Sequence, residues 1–282
     1  MFSASTVSQC SKDFGLDVQA YARDGVACLR GLVDAPMVAR LGAAVDRAMA
    51  KPAKRAIEFN APGETGRFFG DMFMWQRDPD FRAAFFETKC AAAAGIAMDA
   101  TRVHLFYDQI FAKEPGTPRQ TPWHQDFSYW PATGDQFCTV YVALDAIDAE
   151  TGAVEYVAGS HLWGEDFRPA PFRAGGEDAQ RYTDSARAPG PDIERLRTTL
   201  DIRRFALQPG DATLFHGRLM HGAPGNSSPT RRRRTLALRF AGDDVRWREG
   251  VSTFKTLRKA GLKTGETLDA RPDLFPVLWK RG

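Results

Sequence analysis

Apolar and polar positions divide the chain into an early part with helical period and a later part that alternates residue by residue. Leu16 to Arg23 reads as a short helix, and Gly25-Val26-Ala27-Cys28-Leu29 as an apolar run suited to a strand. Asp34 ahead of Ala35-Pro36 is a helix start, with a capping carboxylate and a proline in the first turn. Met37, Leu41, Ala44, Val45 and Met49 then recur at helical spacing and predict one buried face. An alanine-rich stretch from Asp78 to Met98 continues the helical pattern. From about residue 102 the period becomes two. His104–Lys113, Phe137–Leu144, Ala153–Val157, Asp211–Phe215 and Thr235–Phe240 read as strands, separated by turn signals such as Glu114-Pro115-Gly116 and Gln208-Pro209-Gly210. Helices first and short strands afterwards predict a mainly β fold, with helices packed outside a double-sheet jelly roll. Residues 170–200 lack any period and are rich in Arg, Gly, Asp and Pro, which predicts a long surface insertion or lid on a single domain spanning 1–282.

Composition narrows the picture without changing it. A length of 282 residues with 43% hydrophobic content is enough for one large core, although two small domains are also compatible with length alone. The net charge of +3 gives no reason to expect nucleic acid as a partner. The one dense basic run, Arg231 to Arg234, is most simply a solvated turn. No run of about 18 apolar residues is present, so no membrane partner is expected. Cys10, Cys28, Cys90 and Cys138 are widely spaced and form no C-x-x-C pair, which reads as reduced cysteines rather than a disulfide framework. The polar start of the chain has no secretory pattern, and the expected address is the cytoplasm.

The chemistry concentrates around the histidines, of which there are five. In an extended segment residues two apart share a side, so His124 and Asp126 in Thr121-Pro122-Trp123-His124-Gln125-Asp126 can reach one ion together. Alone, such a pair is as well explained by a surface turn in which the aspartate accepts from the histidine. A second cluster, Gly210 to His216 and then His221-Gly222-Ala223-Pro224-Gly225-Asn226, reads as a strand carrying two histidines, either of which can complete the site. Two imidazoles and one carboxylate on one face of a metal leave positions open for a chelating co-substrate and for dioxygen. His161, in a Gly-Ser-His turn, reads as a loop anchor, and His104, at a strand start, as structural.

Taken in order, Trp123 to Asp126, Thr151 to His161 and Gly210 to Asn226, followed by an arginine-bearing strand, resemble the phytanoyl-CoA dioxygenase family over most of residues 15 to 245. The resemblance implies a double-stranded β-helix with iron(II) at its mouth, held by His124, Asp126 and His221, with His216 packing behind the ligands. It also implies 2-oxoglutarate and dioxygen as co-substrates, and an arginine after the distal histidine for the far carboxylate of the keto acid. If Leu236, Leu238 and Phe240 face the helices, then Arg233, Thr235, Ala237 and Arg239 face the barrel interior, which selects Arg233. Arg231 shares its parity, whereas spacing from His221 favours Arg232. Tyr107, Gln109, Phe111 and Lys113 alternate along the preceding strand, and the family likeness gives them to the co-substrate pocket; an ordinary amphipathic strand has the same pattern. Halogenating relatives replace the carboxylate ligand by a small residue, so Asp126 implies hydroxylation or a related oxidation of a small organic metabolite. Two aromatic clusters, Phe127, Tyr129 and Trp130 and the stretch Phe68 to Trp75, are either substrate wall or core. A metal-dependent hydrolase or isomerase, and a non-catalytic jelly-roll binding protein, are the competing readings.

Overall fold

The computed structural model describes residues 15–172, 186–250 and 254–282. Helix α1 (Val18–Asp24) is capped by Asp17, whose carboxylate accepts from the Ala20 amide, and ends at Gly25 in the left-handed conformation (φ 76°). Strand β1 (Val26–Leu29) follows at once. Helix α2 (Ala35–Ala50) starts at Asp34 as expected and buries Met37, Leu41, Ala44, Val45 and Met49. The alanine-rich stretch forms two helices, α3 (Pro79–Phe86) and α4 (Cys90–Ala97). None of the helices described is long and apolar enough to cross a membrane.

Beyond residue 100 the chain is mostly strand. β4 (Arg102–Lys113) and β12 (Arg233–Ala241) pair antiparallel at the centre of an eight-stranded sheet. Outward from β12 lie β7 (Phe137–Ala143), β10 (Ala212–His216) and β1. On its other side β4 carries β3 (Phe68–Met72), with β2 (Ile57–Glu58) beyond it, and also β14 (Val277–Lys280). A second sheet has the order β5 (Thr121–His124), β11 (His221–Ala223), β8 (Glu155–Val157) and β9 (Ile202–Arg204). A short pair, β6 (Ala132–Thr133) and β13 (Arg246–Trp247), joins the architecture, and α5 (Ile193–Leu196) and α6 (Lys255–Arg258) are single turns. The fold is the jelly roll expected from the sequence.

The parity assigned to β12 is the parity observed. Leu236, Leu238 and Phe240 join Leu41, Val45, Phe85 and Ile96 in the core beneath the helices. Each such side chain contributes about 1.5–3 kcal/mol by burial, so the helix layer holds the large sheet in place. Ala237 belongs instead to the interior cluster with Tyr141, Tyr156 and Phe215. Chemistry can therefore occupy one face of β12 while the other supplies stability.

Three expectations need correction or extension. His216 and His221 do not share a strand: β10 ends at His216, and His221 opens β11 in the other sheet. The chain leaves the large sheet at Gly217, where a Cβ would lie 2.8 Å from the Trp130 ring, and the Leu219 amide closes a turn onto the His216 carbonyl. The stretch from Phe68 to Met72 is a strand that alternation could not reveal, because all five residues are buried. Phe69 packs in the helix-side core while Phe68 meets Phe111 on the opposite face. Of the insertion expected at 170–200, residues 173–185 lie outside the described residues, as does Cys10. The described cysteines Cys28, Cys90 and Cys138 are free thiols.

Candidate active site

His124 ends β5 and His221 begins β11, and the two are direct partners in the antiparallel register. Their rings lie 4.1 Å apart between centroids. Asp126 opens a tight 3₁₀ turn (Asp126–Tyr129) that returns its carboxylate toward the imidazoles, with Oδ1 3.6 Å from His124 Nε2. One ligand atom from each of the three residues lies within 4.8 Å of the others, and all three side chains are buried. Between them, Gln125 points the other way. Its amide donates to the Glu165 and Arg218 carbonyls and accepts from the Phe167 amide, pinning the neighbouring loop.

The electrostatics prepare this cluster for a cation. His124 Nδ1 sits 2.8 Å from the Pro122 carbonyl and His221 Nδ1 2.9 Å from the Leu219 carbonyl. A carbonyl only accepts, so the proton lies on Nδ1 and each Nε2 keeps its lone pair. Burial, reinforced by neighbouring His124, pushes the His221 imidazole down to about 3, which keeps it in the neutral form a metal requires. Burial alone would raise the Asp126 carboxyl, but the Arg239 charge beside it holds it well below the usual carboxylate range. Thr139 Oγ1 donates to Asp126 Oδ2 at 2.8 Å, and Arg239 donates from Nε to Oδ2 at 3.2 Å and from Nη2 to Oδ1 at 3.3 Å. Two imidazole nitrogens and one carboxylate, each with an atom facing the others, are the donor set of a facial iron site, so these residues fit the metal.

The arginine run separates cleanly by environment. Arg231 pairs with Asp148 and Glu150, Arg232 with Asp46 and Glu114, and Arg234 with Asp145 and Asp46. Arg232, favoured by spacing, thus faces outward. Arg233 is 1% exposed, has no carboxylate among the described residues, and leaves its buried Nε without a partner. Its Nη1 donates to the Gly152 carbonyl. Directly opposite in register stands Lys113, fully buried, with Nζ 2.8 Å from the Pro224 carbonyl and 4.5 Å from the Phe68 ring centre. Burial and the adjacent Arg233 charge push the Lys113 ammonium well below its usual range. The two carbonyls meet these cations because Gly152 (φ 82°) lacks a Cβ, which would come within 2.8 Å of the Pro224 oxygen. Asn226 fixes the same corner by donating to the Lys113 and Arg231 carbonyls.

Of the other pocket residues expected, Gln109 is buried beside Ala237 and forms no side-chain hydrogen bond among the described residues. Tyr107 lies at the metal end: its hydroxyl accepts from Trp130 Nε1 at 2.9 Å, and its ring lies 4.6 Å from the Arg239 guanidinium carbon. Phe111 packs against Phe59 and Phe68. His216 points away from the metal cluster, accepting from the Arg218 amide through Nδ1 and stacking near His161. His161 anchors the loop on the Ala22 carbonyl, and His104 is bound to the Phe275 carbonyl. Sequence reasoning missed Thr139, Tyr141 and Phe172. Thr139 and Tyr141 alternate on β7 opposite Arg239 and Ala237, and only the register between these two strands marks them. No pattern marks Phe172, whose ring stands edge-on 4.7 Å from His124 and also meets Tyr129 and Phe59.

Comparison with known proteins agrees with this geometry. A multifunctional dioxygenase of Penicillium brasilianum is 27% identical over 254 residues, covering 86% of this chain and 76% of that protein. A second multifunctional dioxygenase of the same fungus is 25% identical over 240 residues, covering 80% of this chain and 72% of the relative. Among solved structures, the non-heme alpha-ketoglutarate-dependent epimerase SnoN from nogalamycin biosynthesis superposes with a TM-score of 0.74 at 21% identity, covering 98% of both chains. The model of the family described as phytanoyl-CoA dioxygenase (PhyH) matches residues 21–234. The chain therefore belongs to the phytanoyl-CoA dioxygenase family of Fe(II)/2-oxoglutarate-dependent dioxygenases.

Proposed function

We propose that His124, Asp126 and His221 hold the iron and that Arg233, with Lys113 beside it, takes the distal carboxylate of 2-oxoglutarate during oxidation of a C–H bond in a small organic substrate. The observation carrying this reading is the buried Arg233–Lys113 pair, two cations with no carboxylate among the described residues, in the same barrel as a neutral-imidazole triad. Such a pair is costly unless an anion meets it. When bound, ferrous iron supplies the coupled oxidation in which 2-oxoglutarate, dioxygen and R–H become succinate, carbon dioxide and R–OH. The chain's own part is orientation and exclusion of water. The carbonyls of Pro122 and Leu219 aim the imidazoles, Thr139 and Arg239 aim the carboxylate, and the buried Gln109, opposite Ala237, is a further candidate contact for the keto acid.

Substrate class follows from the rim. Phe172 and Tyr129 stand against His124, and Phe254 stacks on Tyr129 at 6.1 Å and meets Tyr107 at 5.6 Å. These rings favour an apolar, ring-bearing substrate over a highly charged one. Retention of Asp126 supports oxygen transfer as the outcome. Two structural neighbours, an epimerase and a carbocyclase of nogalamycin biosynthesis, put related oxidations on the same scaffold within reach.

Anaerobic titration with iron(II) and 2-oxoglutarate tests the reading. A visible charge-transfer band is expected in the wild type and in His216→Ala. It should be absent in His124→Ala and His221→Ala. A normal band in His221→Ala would remove that residue from the metal.

A further inference from the structure

Asp126 is held by more than the metal site needs. An ionised carboxylate offers about four lone-pair positions to donors or metals. On Oδ2, Thr139 Oγ1 at 2.8 Å and Arg239 Nε at 3.2 Å occupy two. On Oδ1, Arg239 Nη2 at 3.3 Å occupies one more, and the remaining position faces His124 Nε2 across 3.6 Å. Both partners are built into the sheet. Thr139 on β7 and Arg239 on β12 are direct neighbours in register, Tyr107 flanks Arg239 from β4, and Thr139 is fully buried.

We infer that Thr139 and Arg239 are positioning residues that compel Asp126 to ligate through Oδ1 alone. A carboxylate beside a cation can bind through one oxygen or both. Binding through both would consume a coordination position that the bidentate keto acid or dioxygen requires. With Oδ2 saturated by two donors, that second mode is closed, and the face opposite the triad stays free for co-substrates. This inference rests on the iron-binding reading given above.

The experiment separates keto-acid binding from metal binding. Thr139→Val keeps the shape of the side chain but frees one position on Oδ2. In the iron(II)-loaded, anaerobic protein, its Kd for 2-oxoglutarate should rise about tenfold or more, with a weakened charge-transfer band. Its Kd for iron(II) should change clearly less than its Kd for 2-oxoglutarate, because His124, Asp126 and His221 all remain. X-ray absorption at the iron edge should report Asp126 bound through both oxygens. Thr139→Ser, which retains the hydroxyl, should return both constants to near wild type. Arg239→Lys keeps the charge but not the two-pronged fork and should shift 2-oxoglutarate binding in the same direction; it also serves as the test if Thr139→Val fails to fold. Wild-type 2-oxoglutarate affinity in both variants, or parallel loss of iron and keto acid, overturns the inference. Absence of the band from the wild-type protein would instead bring down the iron-binding reading itself.

Discussion

Two arginines on the inner face of β12, Arg233 and Arg239, lie six positions apart on one strand, and their surroundings are opposite. Arg239 is buried against Asp126 with two hydrogen bonds and a tyrosine ring beneath it. Arg233 is buried as deeply but shares its corner with a second cation, Lys113, and among the described residues meets only a backbone carbonyl. An arginine whose charge is neutralised inside the fold is a fixed part of that fold. On the proposed reading, an arginine whose charge is left open receives a ligand that arrives later. The difference teaches that burial of a charged residue does not reveal its role until its counter-charge is located.

The largest expected effect comes from Arg239→Leu. It strands Asp126 in the interior, and breaking a buried pair costs about 3–5 kcal/mol. Chemical denaturation of metal-free protein should register a loss of that order. Arg233→Leu should do the reverse. Removing an uncompensated cation leaves the ligand-free protein as stable as wild type or more so, while the Kd for 2-oxoglutarate rises by roughly 100-fold, about 2.7 kcal/mol. If Arg233→Leu destabilised the apoprotein as much as Arg239→Leu, the two arginines would be alike and the contrast would fail.

Much of this contrast was legible in the sequence, and the reasons are specific. Alternation along residues 235–240 set the parity that placed Arg233 and Arg239 inside, because Leu236, Leu238 and Phe240 make the other face of β12 apolar there. The H-x-D spacing brought His124 and Asp126 together, although the segment is extended only as far as Gln125 and then turns. What could not be read was pairing. Nothing in the residues around Thr139 states that it lies opposite Arg239, since register is a property of two strands. The choice between His216 and His221 has the same origin. Both are buried and near a strand end, and only the turn at Gly217 sends one outward and the other to the metal cluster. β3 escaped notice for a third reason: a strand buried on both faces carries no polar alternation to detect.

A smaller effect sharpens the account of the open end of the pocket. The Lys113 ammonium is pushed down by burial and by Arg233, so its folded pKa lies below the unfolded value of 10.5. The folded chain then binds fewer protons than the unfolded chain between those two values, and stability rises with pH across that window. A carboxylate bound beside Lys113 favours the charged form, so 2-oxoglutarate binding should take up a fraction of a proton at pH values between the free and the ligand-bound pKa of Lys113. Calorimetry in buffers of differing ionisation enthalpy measures that uptake, and Lys113→Met should abolish it. Uptake that persisted in Lys113→Met would assign the proton to another group and leave Lys113 a packing residue.

The smallest effect is the one that tests parity itself. Arg231 shares the inward parity of Arg233 on paper, yet it precedes the first paired residue of β12 and reaches Asp148 and Glu150 at the surface, with its side chain 40% exposed. Ion pairs in that setting are screened by water and salt and contribute little. Arg231→Gln should therefore change the KM for 2-oxoglutarate by less than about twofold, and raising the ionic strength should erase even that difference. A rise comparable to that in Arg233→Leu would mean that Arg231 leaves Asp148 and turns inward when the keto acid binds. The open charge of the pocket would then belong to two arginines rather than to one.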